Sequence, residues 1–367
     1  SVLSLGAGIG LSIGGILTVD PATELVLIVV ELALLLTLFA DGLLVEDQLL
    51  RTEWRAPVRA LVLAMPITLT LIACAGKLLF ADLSWPEAFL LGAVLSPTDP
   101  VITSAVVSSK RIPAAIRHTL NLESGLNDGL ALPFVLFFLV LATSAGSAGI
   151  EALQLVGETG FGALVGGGVA LVGALLLPRL PGGGLRHKYE GVYALGIALA
   201  AFGLAEVAWG NGLIAVFVAG IVLALKRHDI PASFGQFNES VSATFQVITF
   251  VLFGALIVDT GWDGSLVRLV SFILVALVVA RPAAVLLSFL GIPMPFAHKL
   301  FIAWFGPKGV ASMLFALLVL SSGLADRTLV FDIASYTILA SILAHGLTDT
   351  LGSNWLDRRL GSGGSLP

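Results

Sequence analysis

The sequence predicts an all-α protein that crosses a membrane many times, and three observations lead to this prediction. Of its 367 residues, 57% are hydrophobic and only 12% are charged, whereas an ordinary soluble domain carries roughly 25% charged residues. The mean hydropathy is +1.02. The apolar runs are near-continuous rather than alternating, which favours helices over a β-barrel, the other structure that satisfies its backbone in a bilayer. A water-soluble fold of this length is therefore excluded.

About 20 apolar residues make one span, and this rule divides the chain into twelve helices. They are predicted at residues 2–17, 23–45, 57–80, 86–107, 114–144, 154–178, 189–208, 212–226, 240–258, 266–290, 298–322 and 328–351. Fourteen Lys and Arg residues follow even-numbered helices or lie at the chain end, whereas only Lys77, Arg268 and Arg327 follow odd-numbered ones. Basic residues stay on the cytoplasmic side. We therefore expect a plasma (inner) membrane protein with a cytoplasmic C-terminus.

Other site chemistries find little support in the sequence. Cys74 is the only cysteine and lies in an apolar run, so neither a disulfide framework nor a cysteine metal site is expected. Gly182–Gly184 is interpreted as a flexible loop, because no Lys-Ser or Lys-Thr pair follows it as in a phosphate-binding loop. We expect no cofactor, no nucleic-acid partner and no enzymatic activity.

Predicted helix four contains Ser96-Pro97-Thr98-Asp99-Pro100, with two prolines and a carboxylate at membrane depth. Proline removes a backbone donor and clashes with the preceding turn, so the helix should be interrupted near Thr98. Unwound backbone at this depth is tolerated only where it is buried in protein or lines a cavity, and its carbonyls can bind cations. A simple proline kink is the alternative. The embedded Asp99 favours an ion site.

Predicted helix five carries two polar pairs at a spacing of four residues. Ser124 and Asp128 share one face, and Glu123 and Asn127 share a stripe rotated by about 100°. A carboxylate at the centre of a membrane costs at least about 2.5 to 3.5 kcal/mol, so it indicates a functional site. The alternative is a solvated segment near the interface, since Arg117 lies just upstream.

Predicted helix ten carries an isolated arginine within its apolar run, Arg281, whose guanidinium cannot lose its proton and needs a partner. The Glu123 and Asn127 stripe can supply one, with the carboxylate meeting the guanidinium fork and the amide oxygen accepting a remaining hydrogen. Asp128 would then stay available to titrate. The alternative is an arginine that extends to the membrane interface.

Predicted helix eleven has a second Gly/Pro interruption with an embedded charge, Phe305-Gly306-Pro307-Lys308-Gly309. It stands seven helices after the first interruption, and an odd number of crossings reverses orientation, as in an inverted repeat. Asp99 and Lys308 are placed to neutralise the opposed partial charges of the helix ends. An interfacial lysine is the alternative. Weaker polar positions, such as Asp41 in helix two and His345 in helix twelve, are interpreted as solvated or interfacial rather than functional, and for Asp41 burial or a subunit contact is the alternative.

Five stretches resemble the monovalent cation/proton antiporter family that includes NhaP-type bacterial exchangers and animal Na+/H+ exchangers. They are Leu95–Val101, Asn121–Asp128, Asn211–Gly220, Arg281 and Gly306–Gly309. The resemblance covers roughly residues 20 to 352. It implies an inverted-repeat antiporter fold with thirteen helices and two broken helices, so that about twelve spans are present and a first helix is missing.

The resemblance also implies an arrangement of domains and a homodimer embedded in membrane lipid. Residues 1–56 and 183–262 would carry dimerisation helices, and residues 57–144 and 263–352 would carry the core transport helices. Residues 145–182 would form a linker helix, and residues 353–367 a tail.

The family's site residues transfer to matching positions of this sequence. The resemblance implies that Asp128 binds a cation such as Na+, or a proton, helped by the Ser124 hydroxyl, the Thr98 backbone carbonyl and Asp99. It further implies a stabilising triad of Glu123, Asn127 and Arg281. Lys308 would compensate helix charge, at a position where many members carry arginine.

The predicted function is electroneutral exchange of Na+ or Li+ for H+ by alternating access of the core. Asn127 stands where electrogenic relatives have a second aspartate, so one charge should exchange for one charge. K+/H+ antiport is the alternative within transport. A cation channel would have no need of a titrating Asp128, and an intramembrane aspartyl protease using Asp99 and Asp128 would leave Arg281 and the paired breaks unexplained.

Overall fold

The computed structural model describes residues 2–20, 23–43, 55–99, 112–143, 148–177, 183–226 and 232–361. Within these ranges the regular elements are helices throughout, and they follow the twelve predicted spans. They are α1 Val2–Ile13, α2 Glu24–Leu43, α3 Arg55–Leu79, α4 Trp85–Val94, α5 Ala114–Thr143, α6 Ala148–Leu176, α7 Gly183–Val207, α8 Gly212–Lys226, α9 Ala232–Thr260, α10 Leu266–Ser288, α11a Phe296–Trp304, α11b Val310–Leu320 and α12 Arg327–Gly361.

Length and composition make this a multi-pass membrane protein. Seven helices in the described part are long and apolar enough to cross a bilayer: Glu24–Leu43, Arg55–Leu79, Ala114–Thr143, Gly149–Leu176, Ser240–Thr260, Leu266–Ser288 and Arg327–Asp349. Large apolar side chains cover the outside, and Leu3, Leu78 and Val207 are each at least 80% exposed. Such a surface suits lipid rather than water. The all-α polytopic fold is confirmed.

The helices pack in two groups. In the first, α1 packs on α9, and α2 and α6 pack on α8; in the second, α3, α4 and α5 pack in sequence, α10 packs on α3 and α11a, and α11b packs on α12. Where α2 crosses α8, Gly42 and Gly220 face each other, and a Cβ on either would meet backbone of the other helix. Small residues allow this close approach in membranes, where packing rather than water drives helix association.

Two π-helical turns mark equivalent positions of the inverted repeat. They span Ala60–Ala64 in α3 and Val275–Ala280 in α10, and each is followed within two residues by a proline, Pro66 or Pro282. Proline cannot donate to the preceding turn, which widens. α3 and α10 are seven helices apart, the same separation as α4 and α11, and they contact each other.

Several helix ends differ from the sequence expectation. α6, α7 and α9 begin at Ala148, Gly183 and Ala232, six, six and eight residues before the predicted starts. Gly183 and Gly184 are therefore helical, and the interpretation of these residues as part of a flexible loop was wrong.

Two carboxyl ends also differ. α1 ends at Ile13, before the predicted residue 17, because a glycine pair follows and Gly15 adopts a φ of +66°. α12 continues to Gly361, so the predicted tail at 353–367 is helical as far as that residue. The apolar run that hydropathy detects ends at the membrane surface, but a helix can continue beyond that surface with polar residues. Residues 362–367, and the part of predicted helix four from Pro100 onward, lie outside the described residues.

Candidate ion-binding site

The first helix interruption follows α4. The helix begins with a reciprocal cap, in which the Ser84 hydroxyl accepts from the Glu87 amide and the Glu87 carboxylate accepts from the Ser84 amide. It ends at Val94, and residues 95–99 continue as buried, non-helical backbone. The predicted interruption near Thr98 therefore lies inside the protein.

The second interruption separates α11a from α11b at residues 305–309, which are also buried. The two interruptions lie against each other, because the Asp99 amide donates to the Pro307 carbonyl at 2.9 Å. Each interruption then places a charged side chain against the helix end that adjoins the other interruption. Asp99 Oδ2 accepts from the amide of Val310, the first residue of α11b, at 2.9 Å, and Lys308 Nζ donates to the carbonyls of Ser96 and Pro97, each at 3.4 Å.

These contacts match the signs of the helix dipoles. An anion is stabilised at the amino end of a helix and a cation at the carboxyl end, and Asp99 and Lys308 occupy those positions on α11b and α4 respectively. The glycines of the second interruption make room for both charge clusters. A Cβ on Gly306 would collide with the Arg281 guanidinium, and one on Gly309 with the Asp99 carboxylate.

Arg281 and Glu123 form a buried bidentate ion pair. Arg281 Nη1 donates to Glu123 Oε1 at 2.6 Å and Nη2 donates to Oε2 at 3.1 Å. Nη2 also lies 3.4 Å from the Ile302 carbonyl near the end of α11a. The pair thus connects α5, α10 and α11a, and the structure brings these two predicted residues together.

Asn127 does not join that pair, contrary to the expected contact between its amide oxygen and Arg281. Its Nδ2 donates to Thr98 Oγ1 at 2.7 Å, and its Oδ1 has no hydrogen-bond partner. The Glu123 carboxylate and the Ile302 carbonyl accept from the two terminal nitrogens of Arg281, whose Nε has no hydrogen-bond partner, whereas the unwound stretch presents Thr98 to α5. Thr98 Oγ1 also lies 3.4 Å from Ser124 Oγ. Asn127 therefore belongs with Thr98 and Ser124.

Asp128 is buried, with 7% of its surface exposed, and its Oδ1 has no hydrogen-bond partner. Asp41, on α2, likewise has a buried Oδ2 without a partner. Asp41 and Asp99 both act electrostatically on Asp128, so the three carboxylates lie within electrostatic range of one another. Because Asp41 belongs to the first group of helices and Asp128 to the second, the site lies between the two groups.

This arrangement suits a monovalent cation or a proton. Burying a carboxylate without a donor is costly, so a positive charge must compensate it. The available atoms are hard oxygens, which suit alkali cations rather than soft metals. No group of three or more His, Cys, Asp or Glu side chains in the described part of the chain could hold a metal ion. Sequence reasoning missed Asp41; the signal was a carboxylate in an apolar span without a basic partner.

Comparison with known proteins identifies the family. The profile described as "Sodium/hydrogen exchanger, transmembrane" matches residues 1–351. The chain belongs to the sodium/hydrogen exchanger family.

Similar exchangers among curated proteins come from distant organisms. The K(+)/H(+) antiporter NhaP of Alkalimonas amylolytica is 25% identical over 94% of this chain and 59% of its own length. The Na(+)/H(+) antiporter 2 of Zygosaccharomyces rouxii is 25% identical over 86% of this chain and 44% of its own. This chain therefore spans less than two thirds of these relatives.

Solved structures support the exchanger fold. A structure of the sodium proton antiporter MjNhaP1 from Methanocaldococcus jannaschii superposes with a TM-score of 0.80 at 22% identity, covering 100% of this chain and 92% of that one. Another structure of the same protein, at pH 8, gives a TM-score of 0.74 at 21% identity. The likeness confirms the predicted antiporter fold.

Proposed function

We propose that this chain exchanges Na+ or Li+ for H+ across a membrane, with Asp128 binding the cation and the proton in turn. The observation that carries the proposal is the buried Asp128 carboxylate, whose Oδ1 has no donor although it lies between the two helix groups. Such a group must bind either a proton or a cation, and it cannot bind both at once. Competition at one carboxylate is sufficient for antiport.

The surrounding residues take distinct parts in the proposed cycle. Deprotonated Asp128 binds the cation with oxygen donors from Ser124 and Thr98, and Asn127 holds Thr98 in place. Asp99 acts mainly through its charge, since its Oδ2 is engaged by the Val310 amide. The cation leaves on the other side, a proton takes its place and the site returns.

The moving body in this proposal is α3–α5 with α10–α12, and α1, α2 and α7–α9 form a stationary dimerisation scaffold linked through α6. The Glu123–Arg281 pair and the crossed charges at the two interruptions support this division, because they tie helices of the moving body to one another. We further propose a homodimer in the plasma (inner) membrane with a cytoplasmic C-terminus, as the distribution of basic residues indicates.

K+/H+ exchange is the second candidate function. The relative from Alkalimonas amylolytica is named a K(+)/H(+) antiporter, and the one from Zygosaccharomyces rouxii a Na(+)/H(+) antiporter. Both cations accept the same oxygen donors, so the two candidates share one site and differ in the cation that drives proton flux.

Purified protein in proteoliposomes, with a pH-sensitive dye inside, tests both candidates. Adding Na+, Li+ or K+ separately should reveal cation-driven proton flux and rank the cations. Asp128→Asn should abolish the flux while the protein stays folded, because it keeps shape and polarity but removes the charge. Asp82→Asn, the same change on an exposed loop residue, should leave it unchanged. Normal flux in Asp128→Asn would overturn the proposed mechanism.

A further inference from the structure

A buried carboxylate outside the Asp128 site lies near the start of α12. Asp332 has 7% of its surface exposed, and its Oδ1 has no hydrogen-bond partner. No lysine or arginine of the described residues forms an ion pair with it. The charges that act on Asp128 come from Asp41 and Asp99, so Asp332 belongs to a separate place in the fold. A carboxylate in a membrane span without a cationic partner indicates a functional site.

The end of α9 supplies the neighbours of Asp332. The Thr260 hydroxyl and the Asp263 carboxylate both act on it. Thr260 is the last residue of α9, and its hydroxyl has the Leu256 carbonyl as an acceptor at 3.0 Å. A hydroxyl has one hydrogen, so it cannot satisfy that carbonyl and Asp332 together. Asp263 is exposed, and an exposed carboxylate beside a buried one gives a cation a way in from solvent.

Trp262 and Ser335 add further unmatched polar atoms. Trp262 Nε1 and Ser335 Oγ are both buried without a partner. Ser335 follows Asp332 by three residues and so lies on the same side of α12. The Trp262 ring meets the ring of Tyr336, one turn after Asp332, with centroids 6.1 Å apart. A cation that keeps a water satisfies both kinds of atom, because the cation contacts the oxygens and the water accepts from the indole.

These residues lie on the boundary between the two helix groups. α9 belongs to the first group and α12 to the second, and the two helices pack on each other. Next to Asp332, Phe331 packs edge-on against Phe253 of α9, with ring centroids 5.7 Å apart. The Asp128 site lies on the same boundary. In the proposed exchange a cation enters and leaves along this boundary, so Asp332 lies on its route at the side where α12 begins.

The chemistry of the donors selects a monovalent cation. The atoms around Asp332 are carboxylate and hydroxyl oxygens, which suit hard cations. Calcium takes six to eight oxygen ligands, commonly from several carboxylates. Here one carboxylate is buried and one is exposed, and the described part of the chain has no group of three or more His, Cys, Asp or Glu that could hold a metal ion.

We propose that Asp332, Thr260 and Asp263 form a second site, which binds a partly hydrated monovalent cation on the side of the membrane where α12 begins. The identity of that cation as the transported ion rests on the proposed antiport function, whereas the binding does not. In the exchange cycle this second site holds the cation before it reaches Asp128 or after it leaves.

Thallium(I) tests the binding without transport, because it is a monovalent cation that quenches a neighbouring indole by the heavy-atom effect. The Asp128→Asn protein in detergent removes the first site. Titration with Tl+ at constant ionic strength should then quench part of the tryptophan fluorescence in a saturable way. Trp262→Phe should remove that saturable component, and Trp304→Phe, the same change away from the second site, should keep it.

The carboxylates of the second site should control the same signal. Asp332→Asn should abolish the saturable quenching, whereas Asp326→Asn, the same change on an exposed residue six positions earlier, should leave it intact. Asp263→Asn is exposed and does not threaten folding; it should raise the half-saturating Tl+ concentration a few-fold, since an exposed charge is screened. Saturable quenching that is missing from Asp128→Asn, or that survives in Asp332→Asn, shows that no such site exists.

Competition identifies the class of cation. Na+, Li+ or K+ should displace Tl+ from the Asp128→Asn protein. Displacement by Mg2+ at lower concentrations than any of these would make the site divalent and refute the monovalent assignment.

Transport from each side of the membrane tests the place of the site on the route. With the proposed orientation, right-side-out vesicles present the start of α12 to the added cation, and everted vesicles present the opposite side. Asp332→Asn should raise KM roughly tenfold in right-side-out vesicles, as loss of a unit charge at contact distance does, and leave KM unchanged in everted ones. An unchanged KM in both would remove the site from the route. Saturable Tl+ quenching in a protein without cation-driven proton flux would refute antiport and leave the binding site standing.

Discussion

The two helix interruptions use the same backbone device for different purposes. Each leaves a helix end buried, and each sends a charged side chain to the helix end of the other, Asp99 to α11b and Lys308 to α4. The α4 interruption also presents Thr98 to Ser124 and Asn127, beside Asp128. The α11 interruption instead contacts Arg281, Ser341 and His345, which hold its two ends. One interruption therefore contributes residues to the proposed ion site, and the other holds those residues in position.

The pseudo-symmetry of the backbone therefore does not extend to the chemistry of the two interruptions. A carboxylate and a hydroxyl lie where the cation is proposed to bind, whereas the lysine lies where its charge offsets a helix dipole. Substitutions at the positioning interruption should therefore affect folding first, and those at the binding interruption should affect cation affinity first.

The largest effect is expected at Arg281, which anchors α11a to α5. Arg281→Ala leaves the Glu123 carboxylate buried without a partner, which should cost about 3 to 5 kcal/mol of stability, as for other broken buried pairs. Thermal unfolding of the detergent-solubilised protein measures it, and Arg268→Ala, an exposed arginine on the same helix, is the control. Adding Glu123→Gln to Arg281→Ala should recover part of the loss. A double variant less stable than either single one would disprove the pairing.

The next effect concerns the glycines of the positioning interruption. Gly306→Ala and Gly309→Ala would bring a methyl group into the Arg281 guanidinium and the Asp99 carboxylate respectively. Overpacking of this kind costs about 1 to 3 kcal/mol, and both variants should show it by thermal unfolding. Gly346→Ala, on α12 with no atom within 4 Å of the added Cβ, should be neutral or slightly stabilising. Equal behaviour of all three variants would mean that the interruptions do not need this close contact.

A smaller effect is expected when the crossed charges are removed. Asp99→Asn and Lys308→Met should each cost up to about 2 kcal/mol, the range for a charge at a helix end. Asp99→Asn should also weaken cation binding, measured as a higher KM, because the charge near Asp128 is lost, whereas Lys308→Met should change KM less.

Exchanging the two charges is the sharper version of this test. With Asp99→Lys and Lys308→Asp combined, a cation faces the amino end of α11b and an anion the carboxyl end of α4, opposite to both dipoles. The exchanged protein should therefore be less stable than either single neutral variant. Wild-type stability would show that the two residues act as a simple ion pair.

The sequence was sufficient to predict those parts of the site that depend only on which residue types lie within a membrane span. Prolines within an apolar run interrupt a helix wherever it packs, and an arginine in the membrane has few partners other than a carboxylate such as Glu123. Asn127 was assigned to the wrong neighbour, since Asn127 and Glu123 share a helix stripe and only the packed structure shows which side chain each one meets. Asp41 and His345 were undervalued for the same reason, because the rotation of α2 and α12 about their axes cannot be derived from hydropathy. The end of α12 was missed because hydropathy reports the membrane boundary rather than the helix terminus.

The smallest expected effect is that of a membrane potential. Asp99 and Lys308 carry opposite charges, as do Glu123 and Arg281, so these buried charges of the two helix interruptions balance in pairs and Asp128 is left to exchange its partner. Asp128 with Na+ and Asp128 with a proton are both neutral, so one cation exchanges for one proton. A potential is worth about 2.3 kcal/mol per charge per 100 mV, and here no net charge would cross. Na+-driven proton flux in proteoliposomes should be the same with and without an imposed potential, and solid-supported membrane recordings should show binding transients only.

A second titrating carboxylate would change this result, and the candidate is Asp41. Its buried oxygen has no partner, and it acts on Asp128 across the boundary between the helix groups. A sustained Na+-dependent current that reverses with the gradient would contradict one-for-one exchange, and its loss in Asp41→Asn with flux retained would identify Asp41 as the second proton carrier.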